Sequence, residues 1–191
     1  MAHVKETAAS LLQLANLLTI IRLLLSPVLF WLVYNAEATK GTSWTVFGIG
    51  LVIAASDYLD GWVARKAGST SRGGALLDPL ADKVVILGVG YFLVIVGRYW
   101  WLPVAMIAVR ESGITIWRTY WLKKGIVVPA RKSAKYKTSV QGAAFLLAVL
   151  PPLENTDWIV ATTLWLAVAF TLITGFQYIL DGSTAIRNQD A

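Results

Sequence analysis

Stretches of about 20 predominantly apolar residues recur along this chain, each long enough to cross a bilayer as a single helix. They fall at about 14–33, 44–65, 74–96, 100–122, 136–153 and 158–180 of the 191 residues. In hydrocarbon every backbone N–H and C=O must find an internal partner, so runs of this length are read as helices. The expectation is an all-α integral membrane protein of six transmembrane helices, in one domain over residues 1–191. A composition of 57% hydrophobic and only 15% charged residues argues against a water-soluble chain. The connections are short apart from 123–135, so helices consecutive in sequence should pack antiparallel. No small-residue cleavage site follows the first run, which continues into Ser26 and Pro27, so it is read as a retained helix.

Basic residues orient the bundle. The ends and connections on one side carry Lys5, Arg65, Lys66, Arg72, Lys83, Arg118, Lys123, Lys124, Arg131, Lys132, Lys135, Lys137 and Arg187. The other side carries only Lys40 and Arg98, while Arg22 and Arg110 are left at membrane depth. Basic residues concentrate on the cytoplasmic side of membrane proteins, so both termini are expected there. The location expected is the plasma (inner) membrane. A net charge of +6 in such a chain suits anionic lipid head groups and phosphorylated substrates rather than nucleic acid. Cysteine is absent, which excludes thiolate chemistry.

Against this background, four of the eleven acidic residues stand together. Asp57 and Asp60 close the second run, and Asp78 and Asp82 open the third. Steps of three and four keep residues on one helical face, so Asp57, Asp60, Gly61 and Ala64 share a face, as do Gly74, Asp78 and Asp82. Packing the second and third helices against each other would bring the four carboxylates together, facing the cytoplasm. Carboxylates are costly at membrane depth and usually functional there. The plainer reading, that they merely pair with Arg65, Lys66, Arg72 and Lys83, does not account for two converging faces with small residues between the acids. Four anions in one partly dry site need positive charge or protons. Hard divalent cations accept such oxygen ligands, and Mg²⁺ completes its shell with water and substrate phosphates. Two ions could clamp a phosphate ester for in-line displacement, with Arg65 offering a planar fork to phosphate.

The spacing Asp57-x2-Asp60-Gly61-x2-Ala64-Arg65-x8-Gly74-x3-Asp78-x3-Asp82 resembles the complete signature of the CDP-alcohol phosphotransferase family. The resemblance implies a six-helix membrane enzyme, usually a homodimer, that displaces CMP from a CDP-linked donor with two divalent ions, Mg²⁺ or Mn²⁺. Carried over by position, Asp57, Asp60 and Asp78 would ligate metal. Asp82 would sit at the metal's edge as general base. Asp57, Gly61, Ala64, Arg65 and Gly74 would line the CDP site. The segments at 16–27, 76–83, 110–118 and 128–141 resemble the branch that transfers a phosphatidyl group from CDP-diacylglycerol to glycerol 3-phosphate. Ala134 stands where that branch often has glycine.

That acceptor is a dianion and needs a cationic pocket beside the metals. Arg110 lies inside the fourth run, where an unpaired guanidinium is costly, so Glu111 or an aspartate of the cluster is expected as its partner. Arg118, two turns along, and Lys135 and Lys137, entering the fifth run, complete the expected acceptor-phosphate set. Sibling activities with inositol phosphate or phosphatidylglycerol as acceptor would use the same metal site. A divalent-cation transporter is the rival from another class. Transporters commonly carry internal repeats, none is evident here, and that reading leaves Gly61, Ala64, Arg65 and Gly74 without a role. A non-catalytic membrane scaffold leaves the intact carboxylate set without one.

Overall fold

The computed structural model describes residues 2–67, 74–124 and 133–187. Within these, the side chains of 2–16, 57–58, 60–67, 74–80, 122–123, 133–135 and 184–187 lie outside the description. The expected helices are all present among the described residues, and no strand accompanies them. They are α1 (Ala2–Asn35), α2 (Trp44–Ala67), α3 (Gly74–Ile95), α4 (Trp101–Lys123), α5 (Ser133–Val149) and α6 (Asp157–Arg187). Short 3-10 turns at Glu37–Thr39 and Pro151–Leu153 join α1 to α2 and α5 to α6.

The boundaries differ from the apolar runs where local chemistry overrides hydropathy. The fifth helix stops at Val149 rather than near Leu153, with Leu150 extended at φ −75° and ψ 118°. Leu150 precedes Pro151, and the residue before a proline is disfavoured in the helical region. Helix α3 ends in a Schellman motif: the Arg98 N–H donates to Leu93 at 2.9 Å and the Gly97 N–H to Val94 at 3.1 Å. Gly97 supplies the left-handed φ of +73° that the motif requires. At the outer ends, α1 and α6 run beyond their apolar stretches, because helical hydrogen bonding does not stop where hydrocarbon does.

Around the bundle the helices touch in the order α2, α1, α3, α4, α6, α5, with α5 closing back on α2 and also reaching α3. Among the described residues α1 packs against both α2 and α3. A long, largely apolar helix can bury two faces at once. The interior is a continuous apolar cluster that includes Leu29, Val33, Val46, Leu93, Ile107 and Leu164. Phe30 of α1 stacks on Phe92 of α3 with ring centroids 5.4 Å apart.

Outside, the bundle is apolar too. Leu24, Trp31, Val109, Ile116, Trp158 and Phe176 are all exposed, Val109 to 73%. The segments Leu17–Asn35 and Asp157–Ser183 are each long and apolar enough to cross a membrane. The six expected helices are present, and these two segments have the length and composition of a crossing.

One end of the bundle is tied by Arg98. Its buried guanidinium donates to the carbonyls of Ala148 (2.8 Å), Leu153 (2.6 Å) and Glu154 (2.7 Å) and to the Asp157 carboxylate (2.9 Å). The last carbonyls of a helix have no intrahelical partner; at the end of α5 Arg98 meets that of Ala148, and the Ser43 N–H meets that of Val149 at 3.2 Å. Lys40 reaches the same Asp157 at 3.1 Å. Burial pushes the Arg98 guanidinium down from its ordinary value while Asp157 opposes the shift. Burial likewise pushes the Tyr99 phenol far up, leaving a neutral donor to the Ala144 carbonyl at 2.9 Å. A cavity of about 350 Å³ beside Arg98, Trp100 and Trp165 belongs to this end, away from the carboxylates.

Candidate active site

The other half of the bundle gathers the polar side chains. Helix α2 is continuous through 57–67 and α3 begins at Gly74, so the sequence faces carrying Asp57, Asp60, Gly61, Ala64 and Arg65, and Gly74 and Asp78, are helical as their spacing requires. The side chains of these residues, and of Lys135, lie outside the described set. Asp82, Arg110, Arg118 and Lys137 are described.

Asp82, in the third turn of α3, pairs with Arg22 of α1. The Arg22 side chain is almost completely buried, and Ser26 one turn on donates its hydroxyl to the Arg22 carbonyl at 2.7 Å. An arginine in the middle of an apolar helix must be paired, and Asp82 is a partner that only the packing of α1 on α3 provides. Next along α3, the Lys83 ammonium donates to the Thr115 hydroxyl on α4. Lys83 stands within electrostatic reach of Glu111, Arg118, Asp82 and Arg110. In sequence it reads as one more topogenic charge; in the fold it joins α3 to the α4 cations.

Helix α4 supplies the hub. One oxygen of buried Glu111 accepts from Arg110 at 3.0 Å and from Lys137 of α5. The Arg110 guanidinium also donates to the Thr174 hydroxyl on α6 at 3.0 Å. Gly175 makes this approach feasible, since a Cβ there would lie 2.9 Å from Arg110 Nε. Between α5 and α6 the Gln141 amide donates to the Thr171 hydroxyl at 2.7 Å. Further out, the Arg118 guanidinium lies over the Tyr178 ring, 5.5 Å from its centroid, and Trp117 packs where a Cβ on Gly182 would stand. Arg110 and Arg118 therefore both face α6, and Glu111 is the partner of Arg110.

Among the described side chains at this end, Asp82 and Glu111 stand with five cations, Arg22, Lys83, Arg110, Arg118 and Lys137. Cations gathered in a water-poor setting favour an anionic ligand. The residues absent from the sequence reading of the site are Arg22, Lys83, Gln141, Thr171, Thr174 and Tyr178. Arg22 had a signal, a charge stranded at membrane depth. The α6 residues had none, because a threonine or tyrosine in an apolar run is ordinary until a neighbouring helix places a guanidinium against it.

A family model described as CDP-alcohol phosphatidyltransferase matches residues 12–185. The chain is 34% identical over 178 residues to the probable phosphatidylglycerophosphate synthase of Mycobacterium tuberculosis, covering 90% of this chain and 82% of that one. It is 33% identical over 173 residues to the CDP-diacylglycerol–glycerol-3-phosphate 3-phosphatidyltransferase of Pseudomonas fluorescens, covering 86% and 83%. The enzyme of the same name from Mycoplasma pneumoniae is 34% identical over 189 residues, covering 84% and 83%. A match of this extent, on a helical bundle that carries Asp82 of the signature beside Arg22 and Lys83, makes the chain a member of the CDP-alcohol phosphatidyltransferase family.

Proposed function

We propose that the protein transfers a phosphatidyl group from CDP-diacylglycerol to sn-glycerol 3-phosphate, giving phosphatidylglycerol phosphate and CMP. The observation that supports the choice of acceptor is the cationic cluster beside Asp82: Arg110 and Arg118 lie within reach of the charge of Lys83, and Lys83 and Arg110 within reach of that of Lys137. A dianionic phosphomonoester needs such a surround; a neutral alcohol does not. The names of the relatives from P. fluorescens and M. pneumoniae state the same reaction.

The signature carboxylates are a donor set of hard oxygens, which fits Mg²⁺ or Mn²⁺. Asp57, Asp60, Asp78 and Asp82 would hold two such ions, which when bound neutralise charge on the pyrophosphate and the departing CMP. The remaining work falls to the chain. Gly61, Ala64 and Gly74 leave space for the nucleotide, and Asp57 and Arg65 contact it. The acceptor phosphate is held by Arg110, Arg118, Lys135 and Lys137. Asp82, oriented by Arg22, takes the proton from the acceptor hydroxyl as its oxygen bonds to the lipid-side phosphorus. The phosphorus–oxygen bond to CMP breaks in the same displacement, so no covalent enzyme intermediate is required.

The single domain spans the membrane six times in this reading, with both termini and the site on the cytoplasmic face and two copies forming a homodimer among membrane lipids. The exposed apolar side chains of α1, α4 and α6 support that setting. The deciding experiment offers CDP-diacylglycerol to the purified protein with glycerol 3-phosphate, inositol phosphate, serine or phosphatidylglycerol in turn and measures CMP. Metal-dependent CMP release with glycerol 3-phosphate is expected. Release with inositol phosphate or phosphatidylglycerol alone assigns a sibling activity, and no release with any acceptor removes the enzymatic reading.

A further inference from the structure

Two buried donors in the α4/α6 seam have no hydrogen-bond partner among the described residues: Arg110 Nε and the Tyr178 hydroxyl. Buried polar atoms are almost always satisfied, so each such orphan requires an explanation. Tyr178 is only 6% exposed, and a phenylalanine would fill the same space without an orphaned hydroxyl. Its position is informative. It lies one turn from Thr174 on the same face of α6, and Thr174 accepts from Arg110. The Tyr178 ring carries the Arg118 guanidinium, and Lys83, beside Asp82, is within reach of both arginines' charge. One orphan belongs to a guanidinium and the other to a ring that carries one, so an acceptor-rich anion is the ligand that suits both.

We propose that the Tyr178 hydroxyl, together with Arg110 Nε, is a hydrogen-bonding position for the phosphate of the acceptor. This rests on the proposed reaction and adds a specificity-determining residue that the sequence does not reveal. The hydroxyl separates phosphorylated from unphosphorylated acceptors, because it is left unmatched unless the ligand brings oxygen to that point. Arg118, held over the ring, is kept near the same phosphate.

Tyr178→Phe removes one oxygen and leaves the packing intact. With the full chain in detergent–CDP-diacylglycerol mixed micelles, the variant should raise the KM for glycerol 3-phosphate about 10- to 100-fold, the range for a hydrogen bond to a charged group. The KM for the lipid should not move. The unfolding midpoint without acceptor should be unchanged or higher, since an unsatisfied hydroxyl has been removed, while the upward shift caused by glycerol 3-phosphate should shrink. An unchanged acceptor KM overturns the proposal. So does a lowered midpoint with both KM values raised together, which would mean that the hydroxyl holds a structural water or the seam itself. If wild-type protein releases CMP with a different phosphorylated acceptor, the proposed function fails, and the same comparison with that acceptor still decides Tyr178.

Discussion

Glu111 and Lys137 test whether the polar half of the bundle is coupled as its geometry requires. One Glu111 oxygen accepts from both Lys137 and Arg110, and all three side chains are at most 10% exposed. Removing one member of a buried ion pair leaves the other charge uncompensated and costs about 3–5 kcal/mol. Lys137→Ala leaves Glu111 with Arg110 and belongs near the lower figure. Glu111→Ala strands two cations and belongs near the upper. Independent effects would sum to about 8 kcal/mol on those figures. In Glu111→Ala/Lys137→Ala only Arg110 is left, with Thr174 still accepting from it. The double variant should therefore cost no more than Glu111→Ala alone, a coupling of about 3 kcal/mol, at the upper end for residues in direct contact. Unfolding of the four proteins in detergent, by denaturant titration at fixed micelle composition, measures the cycle. Additivity to within about 0.5 kcal/mol, the figure for independent sites, would refute the shared-oxygen geometry. Acceptor kinetics on the same proteins add a second reading. If Lys137 also holds acceptor phosphate, the double variant keeps a raised acceptor KM relative to wild type even where the second substitution adds no further loss of stability.

Asp82→Asn should abolish CMP release while leaving CDP-diacylglycerol binding largely intact; near-normal turnover removes the general-base assignment. Arg98→Ala strips the donor from three carbonyls and from Asp157, so it should cost about 3–5 kcal/mol in the same unfolding assay. Because Arg98 lies at the far end from Asp82, the folded fraction of that variant should keep its acceptor KM. Gly182→Ala places a methyl group where the Trp117 ring lies. The overpacking should cost about 1–3 kcal/mol, and a neutral substitution there would show that α4 and α6 do not approach so closely.

Sequence alone determined the helices and the reaction class. Six apolar runs have one solution in hydrocarbon, and the spacing of Asp57, Asp60, Gly61, Ala64, Arg65, Gly74, Asp78 and Asp82 is local information, read within two helices. It also flagged Arg22 and Arg110 as charges in need of partners, and it placed Glu111 beside Arg110. The tertiary structure decided the rest. Asp82 is sixty residues from Arg22, and nothing in either segment states that α1 packs on α3. Thr174 and Tyr178 look like ordinary members of a hydrophobic helix until α4 lays two arginines against them. The same holds at the opposite end, where Arg98 reads as one of two basic residues on the sparsely charged side and is in fact the donor to the closing turn of α5. A charge buried in an apolar bundle announces from its own position that it has a partner. The partner's identity depends on which helices touch, and apolar faces that are nearly alike leave that to the packing.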